Sequence, residues 1–191
     1  APADGNWQWT LTGPRGQADA RAFTSSDSRD TSVAPLYDLP AGTYVLTVAP
    51  RNGATGDFSF ALLDAAQAAP ITLGTTQSDQ FAPGSETKLY SFAGEAGGRY
   101  FFDVVTGDGR MQWRLIDPFG REVFDQDASD VDTITLLDSG TYLLLVEGRI
   151  YNPETRDFTF NVFANPVIAP VRLTLEDIPS PDLVIDSFAL T

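Results

Sequence analysis

One stretch of this chain occurs twice. Asp4-Gly5-Asn6-Trp7-Gln8-Trp9-Thr10-Leu11-Thr12-Gly13-Pro14-Arg15-Gly16 returns 104 residues on as Asp108-Gly109-Arg110-Met111-Gln112-Trp113-Arg114-Leu115-Ile116-Asp117-Pro118-Phe119-Gly120. Gly42-Thr43-Tyr44 returns as Gly140-Thr141-Tyr142 at an offset of 98, and Asp57-Phe58-Ser59-Phe60 as Asp157-Phe158-Thr159-Phe160 at an offset of 100. Ala69-Pro70-Ile71 returns as Ala169-Pro170-Val171 at the same offset of 100. Four blocks in one order, with small insertions between them, predict one kind of unit used more than once. A period of about 100 residues is too long for a solenoid turn and has the size of a small domain.

The segments inside the unit read as strands. Met111 to Ile116 alternates apolar and polar side chains, and Trp7, Trp9 and Leu11 do the same, as in a half-buried strand. Asp117-Pro118-Phe119-Gly120 has Pro at the second turn position and Gly at the fourth, which predicts a hairpin turn with Arg121–Phe124 as the return strand. Asp125 to Asp132 reads as a polar loop, Thr133 to Leu137 as a strand and Asp138-Ser139-Gly140 as a turn. Tyr142 to Val146 is nearly all apolar, the mark of a strand buried on both faces. Lys88–Phe92, Arg99–Val105 and Asp157–Phe163 add three more strands, the first two joined by a turn over Gly94–Gly98. No stretch keeps a 3.6-residue apolar period over three turns. The expected fold is all-β: tandem antiparallel β-sandwiches.

The two copies are unequal. Residues 67–165 hold a complete second repeat, residues 1–66 an incomplete first one without counterparts of 71–105, and residues 166–191 a linker and the start of a further β element. Val171–Leu175 reads as a strand beyond the Ala/Pro joint. A sheet lacking strands leaves open edges. Three readings follow: a boundary made by cutting the chain, completion by the C-terminal strand folding back, or strand donation between molecules. No basic n-region with an apolar core stands at Ala1–Gly16, and the chain opens in mid-pattern, as a piece of a longer protein would.

Charge and composition narrow the function. The 191 residues carry a net charge of −14, which repels phosphate backbones and anionic membranes. Nucleic acid is not an expected partner, nor is membrane insertion, since no stretch approaches the apolar length of a span. The chain has no Cys and no His. That removes Cys nucleophiles, Cys/His zinc sites and Ser-His-Asp triads. Carboxylate-pair chemistry is not removed, but nothing selects one pair from the 26 acidic residues.

The order Leu89-Tyr90-Ser91-Phe92, Ala96-Gly97-Gly98-Arg99-Tyr100, Leu115-Ile116-Asp117-Pro118-Phe119-Gly120 and Ser139-Gly140-Thr141-Tyr142-Leu143-Leu144-Leu145-Val146 resembles the bacterial pre-peptidase C-terminal domain. The resemblance covers roughly residues 71–163 and part of 7–62. It implies a jelly-roll sandwich that is a non-catalytic accessory of secreted proteases or a repeat of large surface proteins. Some members of that family bind collagen or Ca²⁺. Pro181-Asp182-Leu183-Val184-Ile185 resembles the opening of the CARDB module, an adhesion-related immunoglobulin-like domain. Together they imply a mosaic extracellular bacterial protein.

A few residues are candidates for chemistry. Asp125, Asp127, Asp130 and Asp132 set hard oxygen ligands at alternating spacing and suit Ca²⁺, the one cofactor for which the chain offers a candidate site; the other reading is a solvated hairpin loop. Asp27 and Asp30 sit at matching places in the first copy. Trp7, Trp9 and Trp113 have faces fit to stack on sugar rings, although alternation aligns Trp9 and Trp113 with Leu11 and Leu115 and so with a core. Tyr44 and Tyr142, each after a Gly turn, fit a corner anchored by the hydroxyl. Tyr151 and Asn152 lie in a loop suited to contacts. No catalytic residue is expected. The chain reads as a structural or adhesive module of a secreted or cell-surface protein, partnered by its neighbouring domains. The alternatives are an accessory module of a secreted hydrolase that binds polysaccharide or matrix protein, and a strand-exchanging filament subunit.

Overall fold

Alternating side chains need a second layer to bury their apolar face, and residues 69–165 supply one. A computed structural model describes residues 7–26, 36–53, 55–107 and 111–165. The first part of the chain forms β1 (Trp7–Gly13), β2 (Gly16–Ala22) and β3 (Val45–Pro50). Then come β4 (Ala69–Pro70), β5 (Gln77–Phe81), β6 (Thr87–Gly94), β7 (Arg99–Thr106) and β8 (Gln112–Ile116). The last four are β9 (Glu122–Asp127), β10 (Val131–Thr135), β11 (Gly140–Glu147) and β12 (Arg156–Asn165). The described residues hold no α-helix, so the all-β expectation is met.

Strands β10-β7-β12-β5 and β4-β6-β11-β8-β9 make two sheets, and β2-β1-β3 makes a third. All neighbours are antiparallel except β4 on β6, which is parallel over two residues. The four- and five-stranded sheets share one core. Tyr90, Phe92, Tyr142, Leu144 and Val146 enter it from one side, and Phe102, Phe158, Phe160 and Val162 from the other. Trp113 meets Phe102, Phe124 and Phe160 at 6.1, 6.0 and 6.2 Å, all edge-to-face. That geometry sets each ring's positive edge against its neighbour's negative face.

Strand β11 is buried on both faces, as its composition predicts. Its outward face, however, is not apolar throughout. Arg114 and Glu147 are buried there beside Ile116 and Leu145. The Arg114 guanidinium lies 2.9 Å from Glu122, 3.3 Å from Asp125 and 3.7 Å from Glu147. Desolvated charges of this kind are tolerated only when paired.

The three-stranded sheet reproduces half of the five-stranded one. Its order β2-β1-β3 corresponds to β9-β8-β11. Trp9 faces Val48 and Leu11 faces Leu46, as Trp113 faces Val146 and Leu115 faces Leu144. The hairpins slip register at the same place, after Leu11 and after Leu115. Tyr44 and Tyr142 each donate the hydroxyl proton, at 2.8 Å, to the carbonyl four residues back, of Pro40 and Asp138. A side chain on Gly42 would strike Pro14, and one on Gly140 would strike Pro118. The recurring Pro and Gly are therefore a turn packed onto a strand start.

Two strand limits differ from expectation. Asp125 to Asp132 is not one loop: β9 runs to Asp127, and β10 begins at Val131 rather than Thr133 and ends at Thr135. The reason is pairing, since Asp127 lies opposite Gln112 and Val131 opposite Phe102. The joint at residues 65–70 contains β4, which belongs to the five-stranded sheet. The expected strand Val171–Leu175, the CARDB-like stretch 181–185 and Asp27 and Asp30 lie outside the described residues.

Candidate functional site

The four aspartates read as Ca²⁺ ligands are spread over two sheets. Asp125, on β9, accepts from the Gln112 amide and lies beside Arg114. Asp130 accepts the Val104 backbone N–H at 2.9 Å, which ties the loop to β7. Asp132, on β10, accepts the N–H of Thr133 at 2.7 Å. Asp127 ends β9. Among the described residues no group of three or more carboxylates is placed to hold a metal ion.

The three tryptophans separate by environment. Trp113 is fully buried and Trp7 nearly so. Trp9 is only half-buried, although it occupies the place of Trp113 in its own sheet. Its indole N–H donates to the Ser26 hydroxyl at 2.8 Å, and the Arg21 guanidinium lies 6.0 Å from its ring centre. Arg21 also binds Asp19 through Nε at 2.6 Å and reaches the Tyr37 hydroxyl at 3.1 Å. Tyr37 in turn donates to Asp19. Burial opposes ionisation of Asp19, but the hydrogen bonds from Tyr37 and Ala20 and the charge of Arg21 outweigh it and hold the carboxyl below its ordinary value. Burial and the bond to Asp19 push the Tyr37 hydroxyl up to about 12.

Sequence reasoning missed this cluster of Trp9, Arg21, Asp19 and Tyr37. The signal lay in a comparison of the copies. Asp19 faces Leu11 and Arg21 faces Trp9, where the second copy sets Phe124 opposite Leu115 and Gln126 opposite Trp113. Charge at an inward position is kept by pairing, here of Arg21 with Asp19. The result is a half-open platform with one aromatic face, one guanidinium and one carboxylate.

An open cleft of about 350 Å³ lies at one end of the sandwich, lined by Phe81, Thr106, Gly107, Met111, Arg156 and Asp157. Arg156 sits 5.5 Å over the Phe81 ring and donates to the Gly84 carbonyl at 3.0 Å. Tyr151, read as a contact residue, donates its hydroxyl to the Thr24 carbonyl at 3.1 Å, so it meets the first part of the chain. Asn152 donates its backbone N–H to Arg149 at 2.9 Å, which closes the same loop.

No protein-family model matches the chain, and no curated protein does. Among solved structures it is similar to the periplasmic inhibitor of g-type lysozyme PliG of Aeromonas hydrophila, at 16% identity and a TM-score of 0.45, over 51% of this chain and 96% of that one. PliG of Salmonella Typhimurium stands at 17% and 0.42, over 51% and 98%. The pre-peptidase C-terminal domain of a Bacillus anthracis collagenase is similar at 22% identity and a TM-score of 0.41, over 50% of this chain and 94% of that domain.

Proposed function

We propose that this chain is a non-catalytic structural or adhesive module of a large secreted or cell-surface bacterial protein, built from related β-sandwich units at residues 1–66 and 67–165 with a further element starting in 166–191. One observation carries the reading. What recurs between the copies is scaffolding: the Trp–Leu strand, the Pro–Gly contact and the tyrosine corner, in the same register. The carboxylate of the second hairpin turn does not recur with them: Asp117 there is Gly13 in the first. Repetition of framework suits a part whose work is to hold neighbours apart. Single-molecule pulling tests this. A spacer gives one tall unfolding step from residues 67–165 and a much lower one from residues 7–50; hydrolysis of peptide or glycoside substrates by the purified chain defeats the reading.

A second reading, an accessory module that binds polysaccharide or matrix protein, is favoured by the Trp9–Arg21–Asp19–Tyr37 platform. Stacking on an aromatic face with polar groups at its rim is how planar sites hold sugars. A glycan and matrix-protein array with wild type and Trp9→Ala decides: saturable binding that the substitution removes supports it, and a silent array rejects it. Ca²⁺ at Asp125, Asp127, Asp130 and Asp132 is a proposal of the same standing. An ion there displaces the bonds to Gln112, Arg114 and Val104, so calorimetry at millimolar Ca²⁺ decides it.

A further inference from the structure

Of the 12 basic side chains, Lys88 alone is a lysine and the rest are arginines. The two differ in chemistry as well as shape. A guanidinium keeps its charge at any ordinary pH, whereas an ammonium that gives up a proton becomes a nucleophilic amine. Ion pairing by itself favours arginine, whose planar fork matches a carboxylate. Arg21, Arg114 and Arg121 do that work elsewhere in the molecule.

Lys88 stands in the inward row of β6. It lies opposite Val146, and the core residues Tyr90 and Phe92 follow it on the same face. Asp79 holds the matching place on β5, opposite Phe158 and two residues before Phe81. The two strands belong to different sheets, so these side chains meet across the rim of the core. Lys88 Nζ lies 4.0 Å from Asp79 Oδ1 and 3.1 Å from Glu86 Oε2. Both oxygens of Asp79 are held: the Gln80 N–H donates to Oδ1 at 2.7 Å and the Tyr90 hydroxyl to Oδ2 at 2.9 Å. The Ala82 N–H donates to Glu86 Oε2 at 3.0 Å and fixes that carboxylate too. Side-chain exposure is 26% at Lys88, 39% at Asp79 and 32% at Glu86, so all three are shielded from much of the water. An amine, a carboxyl carbon and a base held by a third group are the parts of an acyl transfer.

We propose that Lys88 Nζ and Asp79 Cγ condense into a side-chain amide, with Glu86 carrying the proton, so that a covalent bond ties β5 to β6 across the two sheets. The Glu86 carboxylate takes one proton from the Lys88 ammonium, and the freed electron pair attacks Asp79 Cγ. The hydrogen bonds from Tyr90 and Gln80 stabilise the negative charge that gathers on the carboxyl oxygens. One C–O bond then breaks. Its oxygen leaves as water, taking the proton from Glu86 and a second proton from Nζ. An ammonium and a carboxylate become an amide and one water, and Glu86 ends as it began. Approach of Nζ to Cγ needs only rotation of the four-carbon lysine stem. Condensation in water is unfavourable between free molecules, but groups held face to face act at effective concentrations of about 10⁵–10⁸ M. The bond would fix an edge strand whose one apolar residue is Phe81.

Two measurements on the purified full chain test this. Mass spectrometry under denaturing conditions is expected to give the sequence mass less one water. The denatured chain is then treated with an endopeptidase that cuts after lysine. Because Lys88 is the single lysine, an unlinked chain falls into residues 1–88 and 89–191, whereas an acylated Lys88 is not recognised and the chain stays whole. Lys88→Arg, Asp79→Ala and Glu86→Gln, each with the circular dichroism spectrum of wild type, are expected at their full sequence masses. Glu86→Gln is also expected to be cut at Lys88. A wild type of full mass that is cut at Lys88 holds an ion pair only and overturns the proposal, whether or not any variant folds. Loss of water from Lys88→Arg or Asp79→Ala puts the bond elsewhere and overturns it equally. Loss of water from Glu86→Gln overturns the assignment of Glu86 as proton carrier.

Discussion

The β2-β1-β3 and β9-β8-β11 arrangements share strand order, register, bulge and tyrosine corner, yet differ in what lies over them. Above β8 and β11 lies a second sheet; above β1 and β3 lies the segment around Phe58. Phe160 is fully buried while its counterpart Phe60 is 59% exposed, and Val162 at 1% corresponds to Leu62 at 81%. Alternation along a strand therefore encodes which way a side chain points. Burial is decided by whether an opposing layer exists. Where no second sheet stands among the described residues, the first copy has charge, with Asp19 and Arg21 where the second has Phe124 and Gln126.

The largest expected difference between the copies is at the paired tryptophans. Trp113→Ala removes a ring enclosed by Phe102, Phe124 and Phe160 and is expected to cost about 3–5 kcal/mol. Trp9→Ala opens a site already half in water and is expected to cost well under half of that, roughly 1–2 kcal/mol, because little cavity is left behind. Urea unfolding monitored by circular dichroism checks both. Equal losses break the comparison, since they require a second layer over Trp9.

The glycines against the turn prolines come next. At Gly140 a Cβ meets Pro118 Cγ at 2.7 Å, and the backbone sits at φ +150°, which disfavours a side chain independently. Gly140→Ala is expected to cost about 1–3 kcal/mol. Gly42→Ala meets only Pro14, in an exposed turn that is able to shift, and is expected to cost less, on the order of 1 kcal/mol. Thermal midpoints of the two variants rank them, and a reversed order refutes the claim that the first turn is the looser one.

Much of the second unit was legible from period alone. β6, β7, β8, β11 and β12 follow from alternation or apolar runs, and the hairpin and tyrosine corner follow from Pro, Gly and Tyr spacing. β5 was not legible: in Gln77-Ser78-Asp79-Gln80-Phe81 only Phe81 is apolar, and the strand is held by its ladder to β12. Arg114 and Glu147 were invisible as buried groups, because burial of an outward face depends on what covers it. The aspartate series reads as one loop because spacing does not report that Asp125 and Asp132 belong to strands of different sheets. The Trp9 platform was hidden for the opposite reason, since its strand pattern is that of a core.

Acid separates the two hairpin turns. Asp117 accepts the N–H groups of Phe119 and Arg121 at 2.9 and 2.8 Å and also binds the Arg121 side chain. Burial opposes its ionisation, but these bonds and the Arg121 charge win and hold the carboxyl below its ordinary value of 3.8. A carboxyl depressed in the folded state gives stability that is complete above its unfolded value and lost as pH falls through the folded one. The β8–β9 turn is therefore expected to weaken below pH 3.8, whereas the β1–β2 turn, with Gly13 in that place, has no such carboxyl. Amide exchange at Gly120 and Gly16 as pH is lowered reads both turns. Asp117→Asn should remove the pH step at Gly120, and a step that survives assigns it to another group.

The smallest effects test whether the corner itself is the same device in both copies. Tyr44→Phe and Tyr142→Phe each delete one 2.8 Å bond to a carbonyl four residues back. A neutral hydrogen bond of this kind is worth about 0.5–1.5 kcal/mol net. Tyr142 is buried and Tyr44 only half so. Loss of a bond made by a buried ring is harder for water to recover than loss of one made by a half-buried ring. Tyr142→Phe is therefore expected at the upper end of that range and Tyr44→Phe at the lower, measured by denaturant midpoint. Equal values show the corner to be set by local turn geometry alone. A larger loss at Tyr44 shows that a layer absent from the described residues closes over the first sheet, which would turn its platform into a core.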